Sequence, residues 1–329
     1  MKKSGIACML LAMAASAWSE ANTLKPPVVV AVIDSGVLAD HPSLEGRLLP
    51  GADMVSGSWS QRGGRSTNPT PDERNALCDG VPAQGPYRTH GTEVASVVAG
   101  NGQGGVVGVA PKAMVVPVRV MSACGMSRQD LIDSLAWSAG LPVEGLPLNA
   151  NPAQVINLSL TGGLFHCGRD IQAMINKLVE RNIFVVVAAG NTFHQRLREP
   201  ANCKGVISVG AVDRNNQVAN YSALDERTVV YAQGGTISRT ATNPGDKIAT
   251  FNLSAAGSEV ARVEIRRVGT SYAAPLVSGL LANLIAKNQI TNPKQWQDIQ
   301  EQFTTPIDSI ATCTACKPRR LVEPALRGS

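Results

Sequence analysis

A serine near the end of the chain lies at the start of an apolar helix, a setting that suits nucleophilic chemistry. Ser271 falls in the first turn of the small-residue segment Val268–Gly279. Helix N-termini carry unpaired N–H groups and a partial positive charge. A serine there can attack a carbonyl while its own N–H faces the oxyanion that forms. Taken alone, however, the segment favours an ordinary helix cap.

Three further polar residues lie where a chain often turns. Asp34 follows an apolar run, His90 begins a helical pattern, and Asn191 ends an Ala-Ala-Gly turn. A carboxylate at such a position is either a turn former or a functional acid. The asparagine can donate a hydrogen bond across a cleft or simply close its turn, and a lone histidine is more often structural than catalytic. No single motif is therefore diagnostic.

Apolar runs and helical patterns alternate along the chain, and they predict the elements that would position these residues. Continuous apolar runs, typical of strands buried on both faces, are Val28–Ile33, Val115–Val120, Val155–Leu160, Ile183–Ala188 and Val206–Val212. Helical patterns lie between them at Gly91–Gly100, Arg128–Gly140 and Asp170–Arg181. This order predicts an α/β fold, a three-layer sandwich with a mainly parallel central sheet covered by helices on both faces. Ligand sites in such sheets lie at the carboxyl ends of the strands.

The first residues have the pattern of an export signal. Two lysines precede a short apolar run, and small residues then offer cleavage after Ala17 or Ala21. We therefore expect residues 1–21 to be a signal peptide and residues 22–329 to form one large domain, secreted or periplasmic. No other apolar stretch is long enough to span a bilayer, so we expect no membrane association of the mature form. A net charge of +5 from scattered side chains gives little support for nucleic-acid binding.

The order of the four motifs is more specific than any one of them. The motifs, each at a strand end or a helix start, are Asp34-Ser35-Gly36, His90-Gly91-Thr92, Ala189-Gly190-Asn191 and Gly269-Thr270-Ser271-Tyr272-Ala273-Ala274-Pro275. This order resembles that of the subtilases, the subtilisin-like serine proteases. The resemblance runs from about Val28 to about Leu326 and is greatest to secreted bacterial members with extra cysteines. It implies a serine endopeptidase.

The resemblance also implies a role for each residue. Ser271 would be the nucleophile, His90 the base that takes its proton, and Asp34 the acid that holds the imidazole. Asn191 and the N–H of Ser271 would form the oxyanion hole. This chemistry needs no metal and no cofactor. Calcium is possible in this family, but we assign no site, because Ser43 stands where many relatives have an acidic calcium ligand.

Subtilases bind a polypeptide substrate in an extended conformation beside the third strand. By resemblance, the residues that would bind it and form the walls of the specificity pocket are Ser159, Leu160, Thr161, Gly162, Ala188, Ala189 and Gly190. Thr161 departs from the glycine that the family often has there, and it could narrow the pocket or shift the peptide.

Two stretches depart from the family pattern. Secreted subtilases usually carry a propeptide after the leader, whereas here only residues 22–27 intervene. This leaves three expectations: folding unaided, a separate propeptide-like chaperone or inhibitor, or a catalytically silent protein of this fold that binds peptides or partner proteins. The intact set of four motif residues favours the enzyme. The polar span Thr236–Arg267 is expected to be an irregular surface excursion.

Seven cysteines are present, and only Cys8 lies in the expected leader. The others are Cys78, Cys124, Cys167, Cys203, Cys313 and Cys316. An even number in an exported chain suggests disulfides, in any of fifteen pairings, although Cys313 and Cys316 could instead be a redox pair or half of a zinc site. By resemblance to relatives with cysteines, we expect Cys124 to pair with Cys167 and Cys313 with Cys316. Cys78 and Cys203 remain as the third pair.

Overall fold

The computed structural model describes most of the chain. The described residues are 26–60, 62–72, 77–78, 81–82, 87–103, 105–213, 215–228, 230–236, 248–256, 259–307 and 318–321. The expected signal peptide and the expected pair of Cys313 and Cys316 lie outside them.

The described part of the chain contains thirteen strands. The strands, in chain order, are β1 (Val29–Asp34), β2 (Ala52–Asp53), β3 (Leu77–Cys78), β4 (Val81–Pro82), β5 (Met114–Arg119), β6 (Val155–Leu158), β7 (Phe184–Ala188), β8 (Ile207–Val212), β9 (Val230–Gln233), β10 (Ile248–Ala256), β11 (Glu259–Arg267), β12 (Thr304–Pro306) and β13 (Arg319–Leu321). Nine of them form the sheet of the central layer, while β3 pairs with β4 and β10 with β11 outside it. The order across the sheet is β12-β13-β9-β8-β7-β6-β1-β5-β2. All its pairings are parallel except β12 with β13.

Helices cover both faces of this sheet. They are α1 (Tyr87–Ala99), α2 (Arg128–Ser138), α3 (Arg169–Glu180), α4 (Thr270–Ala286) and α5 (Pro293–Phe303). Alternate residues of β1 belong to two separate hydrophobic clusters, because successive side chains point to opposite faces. Val30 and Val32 share a cluster with residues of α1 and α4, whereas Ala31 and Ile33 share one with residues of α2 and α3. The predicted three-layer α/β sandwich is confirmed.

The centre of the sheet contains a topological switch. β1 pairs with β5 on one side and with β6 on the other. The chain runs from β1 through α1 to β5 and returns through α2 to β6, and these two helices cover opposite faces. A crevice therefore opens at the carboxyl ends of β1 and β6, where α/β sheets commonly bind ligands. Within the described residues, no helix has both the length and the apolar character needed to cross a membrane.

The segment after β1 is fixed to this end of the sheet by a buried arginine. Arg119, the register partner of Asp34, has no exposed surface. Its NH1 lies 2.7 Å from both carboxylate oxygens of Asp53, and its NH2 contacts Asp72. Asp72 also accepts from the N–H of Ala123 at 2.6 Å. A buried charge is costly unless it is paired, so the network holds Asp53 of β2 and the backbone around Asp72 against the sheet.

The expectation of an irregular excursion over Thr236–Arg267 is wrong for residues 248–256 and 259–267. β10 and β11 form an antiparallel hairpin whose register runs from Ile248 opposite Arg267 to Ala256 opposite Glu259. β-Branched residues are frequent in β11 and favour an extended conformation, and charged residues between them hide this signal in the sequence.

Two of the expected disulfide pairings are also wrong. Cys78 is bonded to Cys124, and Cys167 is bonded to Cys203, with Cα–Cα distances of 5.1 Å and 5.0 Å. The loop that contains Cys167 packs against the turn before β8, where the N–H of Glu199 donates to the carbonyl of Leu164 at 2.9 Å. Contacts between loops, which the sequence does not display, therefore decide the pairing.

Candidate active site

Asp34 and His90 meet where β1 ends and α1 begins. Nδ1 of His90 lies 2.8 Å from Oδ1 and 3.0 Å from Oδ2 of Asp34. A carboxylate can only accept, so the neutral imidazole carries its proton on Nδ1 and leaves Nε2 as an acceptor. Gly91 allows this approach, because a Cβ there would lie 2.3 Å from the carbonyl oxygen of Gly36. The N–H of Gly91 also donates to Oγ of Ser35 at 3.1 Å.

The surroundings of His90 raise its pKa above the ordinary value. Burial acts in the opposite direction, since it penalises the charged imidazolium, but the charge and hydrogen bond of Asp34 outweigh it. Glu93 adds a second negative charge, and Arg267 partly offsets it. His90 therefore loses its proton, and becomes able to accept one, at a higher pH than an ordinary imidazole does.

Ser271 lies in the first turn of α4, and this helix begins directly after a glycine with an unusual backbone. Gly269 has φ of 144°, a conformation that side chains disfavour, and a Cβ there would lie 3.2 Å from Nδ2 of Asn191. Oγ of Ser271 donates to the carbonyl of Ser159 at 3.0 Å, and Oγ of Ser159 donates to the carbonyl of Ser271 at 2.7 Å. This reciprocal pair joins the end of β6 to the start of α4.

The amide of Asn191 is oriented by Thr270. Its Oδ1 accepts from both the N–H and the hydroxyl of Thr270, each at 3.0 Å. The hydroxyl of Thr270 in turn accepts from the N–H of Gly190 at 3.1 Å. Two donors at one end of the amide identify that end as the oxygen. The NH₂ group of Asn191 is therefore the end that remains for a ligand.

These side chains share one cleft of about 370 Å³ at the carboxyl ends of the strands. Its lining residues are His90, Met121, Ser159, Leu160, Thr161, Ala188, Gly190, Asn191, Val268, Thr270, Ser271 and Tyr272. Asp34 lies behind His90 and has no exposed surface. A histidine whose Nε2 can accept, a serine at a helix N-terminus and an oriented amide are the components of acyl transfer.

Most of the residues expected to contact a substrate line this cleft, but two do not. Ala189 belongs to the hydrophobic cluster on the opposite side of the sheet from Ala188, because the two residues point in alternate directions. The N–H of Gly162 is bonded to the carbonyl of Glu199 at 3.1 Å. Thr161 lies across from Gly190, where a Cβ would come 2.8 Å from its Cγ2. The methyl group of Thr161 therefore limits the width of the cleft.

Sequence reasoning did not identify Thr270, Tyr272 and Glu93 as parts of the site. Thr270 and Tyr272 flank Ser271, and Glu93 lies one helical turn beyond His90 on the same face of α1. Their proximity to motif residues was the available signal.

One group of possible metal ligands occurs in the described part of the chain, formed by Cys167, Glu199 and Cys203. The two sulfur atoms are joined in a disulfide, so neither is a thiolate that could bind a metal.

Comparisons with known proteins agree on one family. The sequence model of the Subtilase family matches residues 26–308. The extracellular basic protease of Dichelobacter nodosus is 37% identical over 294 residues, which cover 84% of this chain and 47% of that protein. The extracellular protease of Xanthomonas campestris pv. campestris is 38% identical over 280 residues, 81% of this chain and 45% of that protein. The chain thus spans about half the length of these relatives.

A solved structure agrees with these sequence matches. A protease from Pseudoalteromonas arctica superimposes with a TM-score of 0.77 and 35% sequence identity, over 91% of this chain and 89% of that one. The similarity therefore extends over nearly the whole of both chains.

Proposed function

Because this chain belongs to the subtilase family, we propose that it is a serine endopeptidase in which Ser271 is the nucleophile and His90 the base. The observation that carries the proposal is the 2.8 Å contact between Asp34 and His90 behind the cleft that Ser271 and Asn191 line. An acid, an imidazole and an alcohol in this order are the set that subtilisin-like serine proteases use for peptide hydrolysis.

The reaction begins with a rotation of the Ser271 side chain. Its hydroxyl leaves the carbonyl of Ser159 and donates to Nε2 of His90. As Oγ bonds to the substrate carbonyl carbon, Nε2 takes the proton, and the negative charge of Asp34 stabilises the imidazolium. The oxyanion accepts hydrogen bonds from the NH₂ group of Asn191 and from the N–H of Ser271.

The peptide bond then breaks. His90 gives its proton to the departing amine, which leaves an acyl ester on Ser271. A water molecule repeats the same steps, because His90 can again act as the base. The ester is hydrolysed, and the serine hydroxyl is restored.

The substrate in this proposal is a polypeptide bound in an extended conformation beside Ser159, Leu160 and Thr161. Strand addition there supplies main-chain hydrogen bonds without selecting a sequence. The two relatives above are named extracellular, and residues 1–21 have the pattern of an export signal, so we place the protein outside the cytoplasm, secreted or periplasmic. We propose a separate propeptide-like chain as its chaperone or inhibitor.

The test is hydrolysis of an unfolded protein such as casein by the purified chain. We expect wild type to release peptides and Ser271→Ala to release none above background. Ser138→Ala is the matched control, because this buried serine lies on α2 on the other face of the sheet. Peptide binding without hydrolysis by folded wild type would instead support the catalytically silent alternative.

A further inference from the structure

A buried carboxylate links the neighbours of the two reacting residues. Glu93 lies one turn beyond His90 on α1, and Tyr272 directly follows Ser271 on α4. The hydroxyl of Tyr272 donates to Oε2 of Glu93 in a short hydrogen bond. The helix of the base and the helix of the nucleophile are therefore joined at a point adjacent to both side chains.

Glu93 is held by donors from three elements. It has no exposed surface and accepts from the hydroxyl of Thr89 at 3.1 Å, on its own helix. It also accepts from Nε of Arg267 at 3.1 Å and from NH2 of Arg267 at 3.2 Å. A buried carboxylate needs such partners, because an unpaired charge there is strongly destabilising. Arg267 is the last residue of β11, so the hairpin is part of the same network.

The ring of Tyr272 also packs against His90. The two ring centroids are 5.6 Å apart, and the planes are inclined by 59°. Asp34 holds the Nδ1 edge of the imidazole, and Tyr272 restricts the position of the ring as a whole. The hydrogen bond to Glu93 fixes the phenol and thereby fixes this contact.

We propose that Glu93, Tyr272 and Arg267 form a positioning cluster that holds the imidazole of His90 in place and sets the charge it experiences. The inference rests on the proposed function, since it assigns a role in the proton transfer between Ser271 and His90. None of the three need touch the substrate carbonyl for this role.

In the described part of the chain, charged and titratable groups act on His90 from four elements, namely Asp34 of β1, Glu93 of α1, Arg267 of β11 and Tyr272 of α4. Tyr272 stays protonated, because burial and the nearby Glu93 both raise its pKa. Glu93 raises the pKa of His90, and Arg267 lowers it. Removal of the Glu93 charge should therefore lower the pKa of His90, and removal of the Arg267 charge should raise it.

The experiment measures kcat/KM against pH for Glu93→Gln and Arg267→Gln. The first variant removes a negative charge, so His90 should lose its proton more readily and the acidic limb should move to lower pH. The second removes a positive charge, so the limb should move to higher pH. Arg267 is partly exposed, which keeps the second variant informative if the first does not fold. A loosened structure alone would not shift the two limbs in opposite directions.

Arg227→Gln is the matched control. Arg227 is a partly exposed arginine that pairs with a buried carboxylate, Asp225, on the connection between β8 and β9. Its pH profile should coincide with that of wild type. Wild-type midpoints in both test variants, or shifts of the same sign, would overturn the proposed cluster.

A second measurement separates this inference from the proposed function. The titration of His90 is followed by NMR in the Ser271→Ala background, with and without each substitution. Opposite shifts support the cluster even if wild type hydrolyses nothing, in which case only the proposed function fails. If wild type is active and the titrations coincide, only the cluster fails.

Discussion

His90 is the residue on which the chemistry depends, and its ionisation is set by neighbours that the fold brings to it. Asp34 reaches it from the end of β1 and Glu93 from one turn further along α1. Their combined negative charge stabilises the protonated imidazolium and outweighs the loss of its hydration. Because protonation of His90 removes the base, the raised pKa lowers activity at acidic pH. The contact with Asp34 also orients the imidazole, so that protons are transferred at one defined nitrogen.

We predict that kcat/KM falls with decreasing pH around a midpoint above 6.5, the ordinary value for histidine. His90 must be neutral to accept the proton of Ser271, and its raised pKa moves that requirement to higher pH. The raised pKa of His90 also contributes to the stability of the fold. This contribution is complete at a pH below the pKa of His90 in the unfolded chain, and it is lost as the pH rises through the raised pKa of the folded state. A pH profile with a single acidic midpoint below 6.5 would contradict this assignment.

Asn191 should contribute to the rate and little to substrate binding. Asn191→Ala removes the NH₂ group that Thr270 orients, so we expect kcat to fall by about 10²–10³-fold with KM little changed. This magnitude is the one known for the corresponding loss in subtilisin itself. Asn283→Ala is the control, because Asn283 lies in the later part of α4, outside the cleft lining, and its side chain donates to the carbonyl of Val109. Steady-state kinetics that show equal losses in both variants would argue against an oxyanion role.

Thr161 should restrict the size of the side chain that the cleft accepts. Its methyl group lies against Gly190, so Thr161→Gly should widen the cleft. We compare kcat/KM for substrates that have phenylalanine before the cleaved bond with kcat/KM for substrates that have alanine there. We expect the ratio of the two to rise by about tenfold, the magnitude known for a change of one methylene group in an apolar pocket. Thr161→Ser, which removes only the methyl group, should give a smaller change in the same direction. An unchanged ratio would place the specificity elsewhere.

Elements position the site through the loops that follow the strands. The loop after β6 and the turn before β8 are held together by the contact of Glu199 with Leu164 and by the disulfide between Cys167 and Cys203. The loop after β5 is held in the same way by the bond between Cys78 and Cys124. The two disulfides thus reinforce loops on both sides of the crevice.

Loss of the disulfide between Cys167 and Cys203 should lower the free energy of unfolding by about 3–4 kcal/mol, the chain-entropy magnitude for closed loops of this size. The sequence separation of Cys167 and Cys203 is 36 residues. The double variant Cys167→Ala/Cys203→Ala avoids a free thiol, and urea unfolding measures the change. Cys78→Ala/Cys124→Ala, with a separation of 46 residues, should lose a similar amount. Non-reducing peptide mapping that joined Cys124 to Cys167 would refute both assignments.

At the scale of the whole molecule, the sequence is most informative about the buried centre. Apolar runs predict β1, β5, β6, β7 and β8 to within two residues at every end, because strands buried on both faces have few polar interruptions. The order of the four motifs likewise predicted that Asp34, His90, Asn191 and Ser271 would converge at the strand ends.

The rest depends on contacts between segments that are distant in sequence. The β10–β11 hairpin was missed because its charged residues obscure a strand pattern, and Arg267 was missed because its partner Glu93 lies on α1. The disulfides were mispaired because loop packing decides which cysteines meet. Ala189 was placed in the cleft by resemblance, although strand alternation turns it to the opposite face.

The central claim is that Ser271 is a nucleophile activated by its surroundings, and a fluorophosphonate probe tests it most directly. Mass spectrometry of the labelled protein should find the phosphonyl group on the peptide that contains Ser271, with labelling that weakens as His90 is protonated. Ser271→Ala should remain unlabelled, whereas Ser138→Ala should be labelled like wild type. Folded wild type that carries no label, or carries it on a serine outside the cleft, would contradict the account.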